Sequence, residues 1–166
     1  MTLAEVPDAA AVFVDANIFV YHFTGVSPEC RGFLERVERA SIHGVTGAHI
    51  LLEVLHRLMM IEAVTKGLIS PSQPAKKLKQ NWQVIQQLKD YNGCVNEIAA
   101  LNVAVLPITQ EIVRESEGLR RAHGLMTNDS ITAALMIRHG LTNLATLDSD
   151  LQRVPGIALY QPTDVP

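Results

Sequence analysis

The chain has 166 residues, 48% of them apolar and 19% charged, with a formal net charge of −3. That length suits one domain with a filled core, and the composition excludes a disordered chain. The weakly acidic balance excludes a surface that is basic all over, so nucleic acid would have to be held by local basic patches or beside a bound cation.

Aromatic residues make up only 5% of the chain, which predicts an aliphatic core. Cys30 and Cys94 have neither metal-ligand spacing nor the pattern of a disulfide framework, and they fit a reducing compartment. The opening MTLAEVPDAA carries Glu5 and Asp8 and lacks the basic start of a signal peptide. Apolar runs such as HILLEVLHRLMMI are short and interrupted by charge, so no membrane span is expected. The default expectation is a cytoplasmic protein.

In chain order, residues 11–15 (AVFVD) form a short apolar run ending in an acid, which predicts a strand buried on both faces. Ser27 and Pro28 supply an N-cap and a first-turn proline to a helix over SPECRGFLERVERA. Gly44 to Gly47 predicts a second strand, and His49 to Ala63 a long amphipathic helix. Residues 70–100 open as a polar loop, SPSQPAKKLKQ, and continue as a second long helix through NWQVIQQLKDYNGCVNEIAAL. The segment near 65–100 is expected to be a helical lid on a single domain spanning residues 1–166. Val103 to Ile108 predicts a third strand, and Thr109 caps a helix running to about His123. Asn128 caps another helix, from Asp129 to His139, which Gly140 ends in the left-handed conformation. Leu144 to Leu147 and Ile157 to Tyr160 read as the remaining strands. No internal repeat is visible.

Strands alternating with helices predict an α/β fold, a three-layer sandwich around a mostly parallel sheet. Ligands of such sheets bind beyond the carboxyl ends of the strands, where strand order reverses. Asp15 ends the first strand and Asp148 directly follows the fourth, so both stand where a switch-point site needs them.

Each acid also has a structural explanation. Asp15 suits a helix N-cap or a turn after a strand. Glu53 lies among Ile50, Leu51, Leu52, Val54 and Leu55, where a carboxylate is costly unless paired, and Arg57 is four residues on, on the same helix face. Asp129 complements the dipole of a helix first turn. Asp148 can cap the turn after its strand, a role for which Asp150 competes. The histidines, His22, His43, His49, His56, His123 and His139, are scattered, although His49 and His56 have a spacing that would let them share a helix face. Candidate basic contacts are Arg31, Arg36 and Arg39, the lysines from Lys66 to Lys79, and Arg114, Arg120 and Arg121. Trp82 and Tyr91 are candidate stacking groups, with a core position the plainer expectation for Trp82.

Together, VFVDANIFVY, HILLEVLHRL, MTNDSITAALM and LATLDSDL resemble the signature segments of the PIN domain, in the family's order and from about Val12 to Tyr160. The resemblance implies a sheet ordered 3-2-1-4-5 and a metal-dependent endoribonuclease of the kind found as VapC-type toxins of toxin–antitoxin pairs. It maps the family's four acids onto Asp15, Glu53, Asp129 and Asp148, as catalytic and metal-holding residues. Asn17 and Thr146 match the small polar positions beside the first and fourth acids, and Asp150 is a further supporting group. The implied partners are RNA, an antitoxin that inserts a basic side chain near the acids, and a second copy of the chain. The implied products carry a 5′-phosphate and a 3′-hydroxyl. The stretch from Thr65 to Gly93 is long and lysine-containing, unlike the shorter toxins, and leaves a non-toxin role in RNA processing open.

Convergent carboxylates repel one another, and hard divalent cations relieve that repulsion, so an all-oxygen set suits Mg²⁺ or Mn²⁺. Hydrolysis of a phosphodiester by an activated water is the chemistry such a set supports. An aspartyl phosphohydrolase fits less well, because Asn17 replaces the second acid those enzymes carry and no lysine lies between Asn128 and Leu151. A non-catalytic scaffold would be marked by lost acids, and all four are present.

Overall fold

The computed structural model describes residues 1–165. Its centre is a five-stranded sheet in the order β3-β2-β1-β4-β5, formed by β1 (Ala11–Val14), β2 (His43–Gly47), β3 (Ala104–Leu106), β4 (Asn143–Ala145) and β5 (Ala158–Tyr160). Every pairing is parallel: Phe13 faces Val45 on one side and Leu144 on the other. The order expected from the resemblance is the one observed. β1 is the central strand, and Val12, Phe13 and Val14 are fully buried, as a strand covered on both faces requires.

The chain runs from β1 to β2 to β3 in one direction and then returns past β1 to β4 and β5. Right-handed crossovers in the two directions place helices on both faces. The first group comprises α1 (Ala16–Thr24), α2 (Pro28–Glu38), α3 (Ala48–Thr65), α4 (Pro74–Gln80), α5 (Trp82–Ile85) and α6 (Cys94–Ala100). The second comprises α7 (Gln110–His123) and α8 (Thr127–Arg138), which pack against each other. Ser27 caps α2 by accepting from the Cys30 N–H at 2.9 Å, and Thr109 caps α7 by accepting from the Ile112 N–H at 3.4 Å. Both caps agree with the sequence.

The strand reversal falls between β1 and β4, so their carboxyl ends open onto one crevice. The main core is largely aliphatic, but four of the few aromatics, Phe13, Phe19, Phe33 and Tyr160, are buried in it.

The structure corrects the sequence in three places. The stretch from Asn81 to Leu101 is not one long helix: α5, a 3-10 turn (Asp90–Gly93) and α6 are separate, and the SPSQPAKKLKQ stretch read as a loop holds α4. The break has a tertiary cause. The buried Glu62 carboxylate on α3 accepts the backbone N–H groups of Lys89 and Tyr91, each at 2.9 Å, donors that a continuous helix would give to its own carbonyls. Asn128 is not the cap of α8, which starts one residue earlier with Met126 at the cap position. Trp82 is not in the core; it is 56% exposed. Among the described residues, no helix is long and apolar enough to cross a membrane.

Candidate active site

Asp15 directly follows β1 and caps α1, accepting from the Ala16 N–H at 2.8 Å. Capping uses one carboxylate oxygen, Oδ1. The other, Oδ2, accepts from the Thr146 hydroxyl at 2.7 Å and the Asn17 amide at 2.6 Å. The structural and functional explanations of Asp15 are therefore compatible.

Thr146 and Asn17 are both buried and join the two strand ends. Thr146 Oγ1 also accepts from the Asp148 N–H at 3.0 Å and the Asn17 amide at 3.2 Å. The Asn17 carbonyl accepts from the Leu147 N–H at 3.0 Å. The chain after β4 is thereby fixed to the chain after β1, and the backbone of Asp148 is set relative to the Asp15 carboxylate. Asp148 itself is exposed, and its Oδ1 accepts from the Asp150 N–H at 2.9 Å. Asp150 is ion-paired to Arg153 at 2.6 Å and opens a 3-10 turn, so part of its charge is already compensated.

Glu53 and Asp129 reach the crevice from helices. Glu53 lies on α3, which starts at the end of β2; its side chain is one-third exposed and pairs with Arg57 at 3.8 Å. The ion pair that the sequence offered as an alternative is present, and it does not remove Glu53 from the other acids. Burial and the charge of Asp15 push the Glu53 carboxyl above its ordinary value, against Arg57, the Asn128 side chain and His56. Asn128, which does not cap α8, is thus one of the groups that hold the Glu53 carboxyl down. Asp129 sits in the first turn of α8, half-buried, and its pKa is pushed up to about 6 by burial and then by the charges of Asp148, Asp15, Asp150 and Glu53. Burial also raises Asp15, with Asp148 adding to it and Thr146, Ala16 and Arg57 opposing it.

The acids named from the sequence therefore lie within electrostatic reach of one another, across four separated segments of the chain. Among the described residues, no three acidic, histidine or cysteine side chains already converge on one point at ion-binding distance. Arg57 is the cation among them, a role that the i, i+4 spacing to Glu53 signalled only in part.

Other candidates go elsewhere. Arg36 binds the carbonyls of Leu3 and Val6 and the Asp8 carboxylate, so it anchors the N-terminal segment. Arg120 donates to the hydroxyls of Ser116 and Ser130 at 2.7 and 3.0 Å, tying α7 to α8. Arg39 and Arg121 pair with Glu35 and Glu117 on their own helices. His49 is buried and His56 exposed, so they do not act as a pair. A cleft of about 380 Å³ lies beside α1, α3 and α6, lined by Phe23, Leu58, Glu62, Tyr91 and Cys94 among others; none of the four acids lines it.

The fold has solved counterparts. A toxin–antitoxin complex from Klebsiella pneumoniae superposes with a TM-score of 0.53 at 20% identity, over 89% of this chain and 95% of that one. VapBC2 from Rickettsia felis, bound to a DNA fragment from its promoter, gives 0.55 at 17% identity, over 92% and 98%. Mycobacterium tuberculosis VapC20, a toxin that cleaves the sarcin-ricin loop, gives 0.58 at 12% identity, over 88% and 96%. At those identities the likeness concerns the fold. No curated protein matches the chain significantly by sequence. The PIN domain family model matches residues 12–157, and the chain belongs to the PIN domain family.

Proposed function

We propose that this protein is a metal-dependent endoribonuclease that hydrolyses RNA phosphodiesters, with Asp15, Glu53, Asp129 and Asp148 as its catalytic and metal-holding acids. The observation that carries the proposal is the junction at the strand reversal, where Thr146 and Asn17 bind Asp15 Oδ2 and fix the chain that leads to Asp148. Burial, and then the charges of Asp148, Asp15, Asp150 and Glu53, push the Asp129 carboxyl up to about 6, in keeping with uncompensated negative charge in the crevice. Stability alone gives no reason to gather such charge at a sheet switch point.

The donor set fits a hard divalent cation, Mg²⁺ or Mn²⁺. All candidate ligands are oxygens, and no cysteine or histidine belongs to the group. Mg²⁺ keeps several waters and needs only one or two carboxylates, so full convergence of three protein groups is not a requirement. Asp15, Asp129 and Asp148 would hold the ion, with Glu53 a ligand directly or through water. Bound there, the cation supplies charge neutralisation at the phosphate and acidification of water.

The chain's own residues do the rest. Thr146 and Asn17 donate to Asp15 Oδ2, fixing the direction of its lone pairs. The raised carboxyl of Glu53 orients the attacking water and is poised to accept its proton nearer neutral pH than an ordinary glutamate. Arg57 limits that rise and adds positive charge beside the crevice.

The counterparts from K. pneumoniae, R. felis and M. tuberculosis are toxins or toxin–antitoxin complexes. They support a toxin role here, with an antitoxin protein as partner and a second copy of the chain as the other. The test is cleavage of end-labelled single-stranded RNA in Mg²⁺ or Mn²⁺, with EDTA and Asp129→Asn as controls. Cleavage that requires the metal and is lost in the variant supports the proposal; cleavage surviving both overturns it.

A further inference from the structure

The chain has five lysines, Lys66, Lys76, Lys77, Lys79 and Lys89, and all of them lie between Glu62 and Asp90. The 27 residues from Ala63 to Lys89 contain no acid and no arginine. The nine arginines and seventeen acids are all outside, so a stretch of charge +5 is set into a protein whose remainder is −8. The only tryptophan, Trp82, is in the same stretch and 56% exposed.

The stretch is built onto the helix that carries Glu53. Leu78 and Leu88 are buried with Ala63 and Ile69 in a small core of their own, packed with Met59, Met60, Val64, Val84 and Ile85. Glu62 fixes its far end through the N–H groups of Lys89 and Tyr91, and Lys66 is consumed by pairing with Glu62 and Asp90. Among the described residues, Lys76, Lys77, Lys79 and Lys89 have no acidic partner within 4.0 Å. A groove of about 270 Å³ runs between Arg57, Met60, Ile61, Val64 and Thr65 of α3 and Pro74, the first residue of α4. Its lining includes Arg57, the ion-pair partner of Glu53, and Pro74, where the lysine-bearing helix starts. From Glu53 to Thr65 is about 18 Å of helix, at 1.5 Å per residue.

Lys77 donates to the Ser70 hydroxyl, and Lys76, Lys79 and Lys89 have no acidic partner among the described residues. Lysines of that kind in one stretch with an exposed aromatic are the combination that grips single-stranded nucleic acid. The ammonium groups hold phosphates, and the ring offers a face to an unstacked base. We propose that residues 66–89 form the arm that holds single-stranded RNA and leads it along the α3 groove toward the acidic crevice. The proposal rests on the nuclease reading and deepens it by assigning the substrate-binding surface. It also accounts for the weakly acidic net charge: the positive charge that RNA needs is concentrated in one segment.

Because Trp82 is the sole tryptophan, its emission reports directly on the arm. A short unstructured oligouridylate is titrated into the full chain in EDTA, where cleavage is blocked. The expected result is saturable quenching that weakens with salt. In Lys76→Ala/Lys79→Ala/Lys89→Ala the affinity falls about tenfold or more, and the slope of log K against log salt drops by about 2, as losing three phosphate contacts on a single strand requires. Trp82→Ala, read by gel shift, loses roughly tenfold in affinity, and Trp82→Phe recovers part of it. RNA binding with unchanged emission, or a lysine variant with unchanged affinity and slope, overturns the proposal. So does equal quenching by polyglutamate, which would mark the arm as a site for an acidic protein.

Asp129→Asn separates this inference from the nuclease reading, because it is expected to abolish cleavage and leave quenching intact. If no RNA is cleaved yet the lysine variant loses binding, the nuclease reading fails and the arm stands. If the wild type cleaves and the lysine variant cleaves with the same KM, the arm fails alone.

Discussion

His49 on α3 and Thr132 on α8 are joined by a 2.9 Å hydrogen bond between Nε2 and the threonine hydroxyl, and both side chains are buried. His49 precedes Glu53 by one turn and Thr132 follows Asp129 by one turn, so the bond ties together the two helices that bring these acids to the crevice. Nδ1 has no partner. A neutral ring that donates from Nε2 leaves only a bare acceptor there, which costs less than a stranded N–H.

Burial holds the pKa of His49 down to about 4, from an ordinary 6.5. The unfolded chain therefore takes up a proton at this residue near pH 6.5, and the folded chain does not until about pH 4. Stability is expected to fall as pH drops through that window, by about 3 kcal/mol at most. Denaturant melts at several pH values should show the fall in the wild type and a smaller one in His49→Gln. Parallel curves would assign the pH dependence elsewhere.

Thr146 makes a sharper test of the site. Its hydroxyl donates to Asp15 and accepts from the Asp148 N–H and the Asn17 amide. Thr146→Val keeps the shape and removes all three bonds. The expected cost is about 1–3 kcal/mol of stability and a roughly 10–100-fold loss in Mg²⁺ affinity or cleavage rate. Thr146→Ser, which keeps the hydroxyl, should recover most of the activity; a serine variant as poor as valine would show that packing of the methyl is what matters.

The repulsion at Asp129 predicts behaviour without any substrate. A cation that binds only the folded crevice stabilises it by mass action. Mg²⁺ or Mn²⁺ should therefore raise Tm beyond the effect of a monovalent salt at equal ionic strength. Asp129→Asn removes one like charge, so it should raise the metal-free Tm and shrink the Mg²⁺-dependent rise. A lowered metal-free Tm would mean that Asp129 is not under net repulsion.

Glu62 governs the lysine-bearing arm. Burial alone would raise its pKa, but Lys66 and the N–H groups of Lys89, Tyr91 and Asp90 outweigh burial and pull it down to about 2. A depressed carboxylate contributes stability above its unfolded value of 4.5, and that contribution is lost as pH falls toward 2. With Lys66 partly exposed, screening reduces the gain to about 2 kcal/mol. Glu62→Gln should lower Tm at neutral pH and open residues 66–89 to limited proteolysis. An unchanged cleavage pattern would show that the small core holds the arm without the clamp.

The Glu62 clamp also shows where sequence reading stops. The strands, the capped helices α2 and α7, and the acid after β1 follow from local patterns, because each is decided by neighbours within a few residues; β4 ends at Ala145, so Asp148 stands three residues beyond it and not directly after it. The break near Lys89 does not, since it is imposed by a carboxylate 27 residues earlier that captures the N–H groups of Lys89 and Tyr91. Asn128 resembles a cap because asparagine before an apolar helix usually is one; the fold starts α8 at Thr127 and brings Asn128 where it lowers the Glu53 carboxyl. His49 carried no local sign of its bond to Thr132. For the acids, spacing alone left structural explanations standing, and each is present alongside the shared electrostatics: Asp15 caps α1, Glu53 pairs with Arg57, Asp129 lies in the first turn of α8, and Asp148 accepts from the Asp150 N–H.

Gly47 tests how tightly the His49 contact is held. It ends β2 and precedes α3, with an ordinary extended backbone, so no left-handed conformation demands a glycine. The demand is space: a Cβ there would lie 2.6 Å from the His49 ring and 2.9 Å from Leu135 Cδ1. Leu135 is fully buried and the ring is pinned by Thr132, so neither can swing away cheaply. Gly47→Ala is expected to cost about 1–3 kcal/mol, the usual penalty of overpacking. In a His49→Ala background the ring is gone and the added methyl should cost much less, giving a large coupling energy in a double-mutant cycle. Equal costs in the two backgrounds would place the clash at Leu135 and remove the ring of His49 as the reason for glycine at this position.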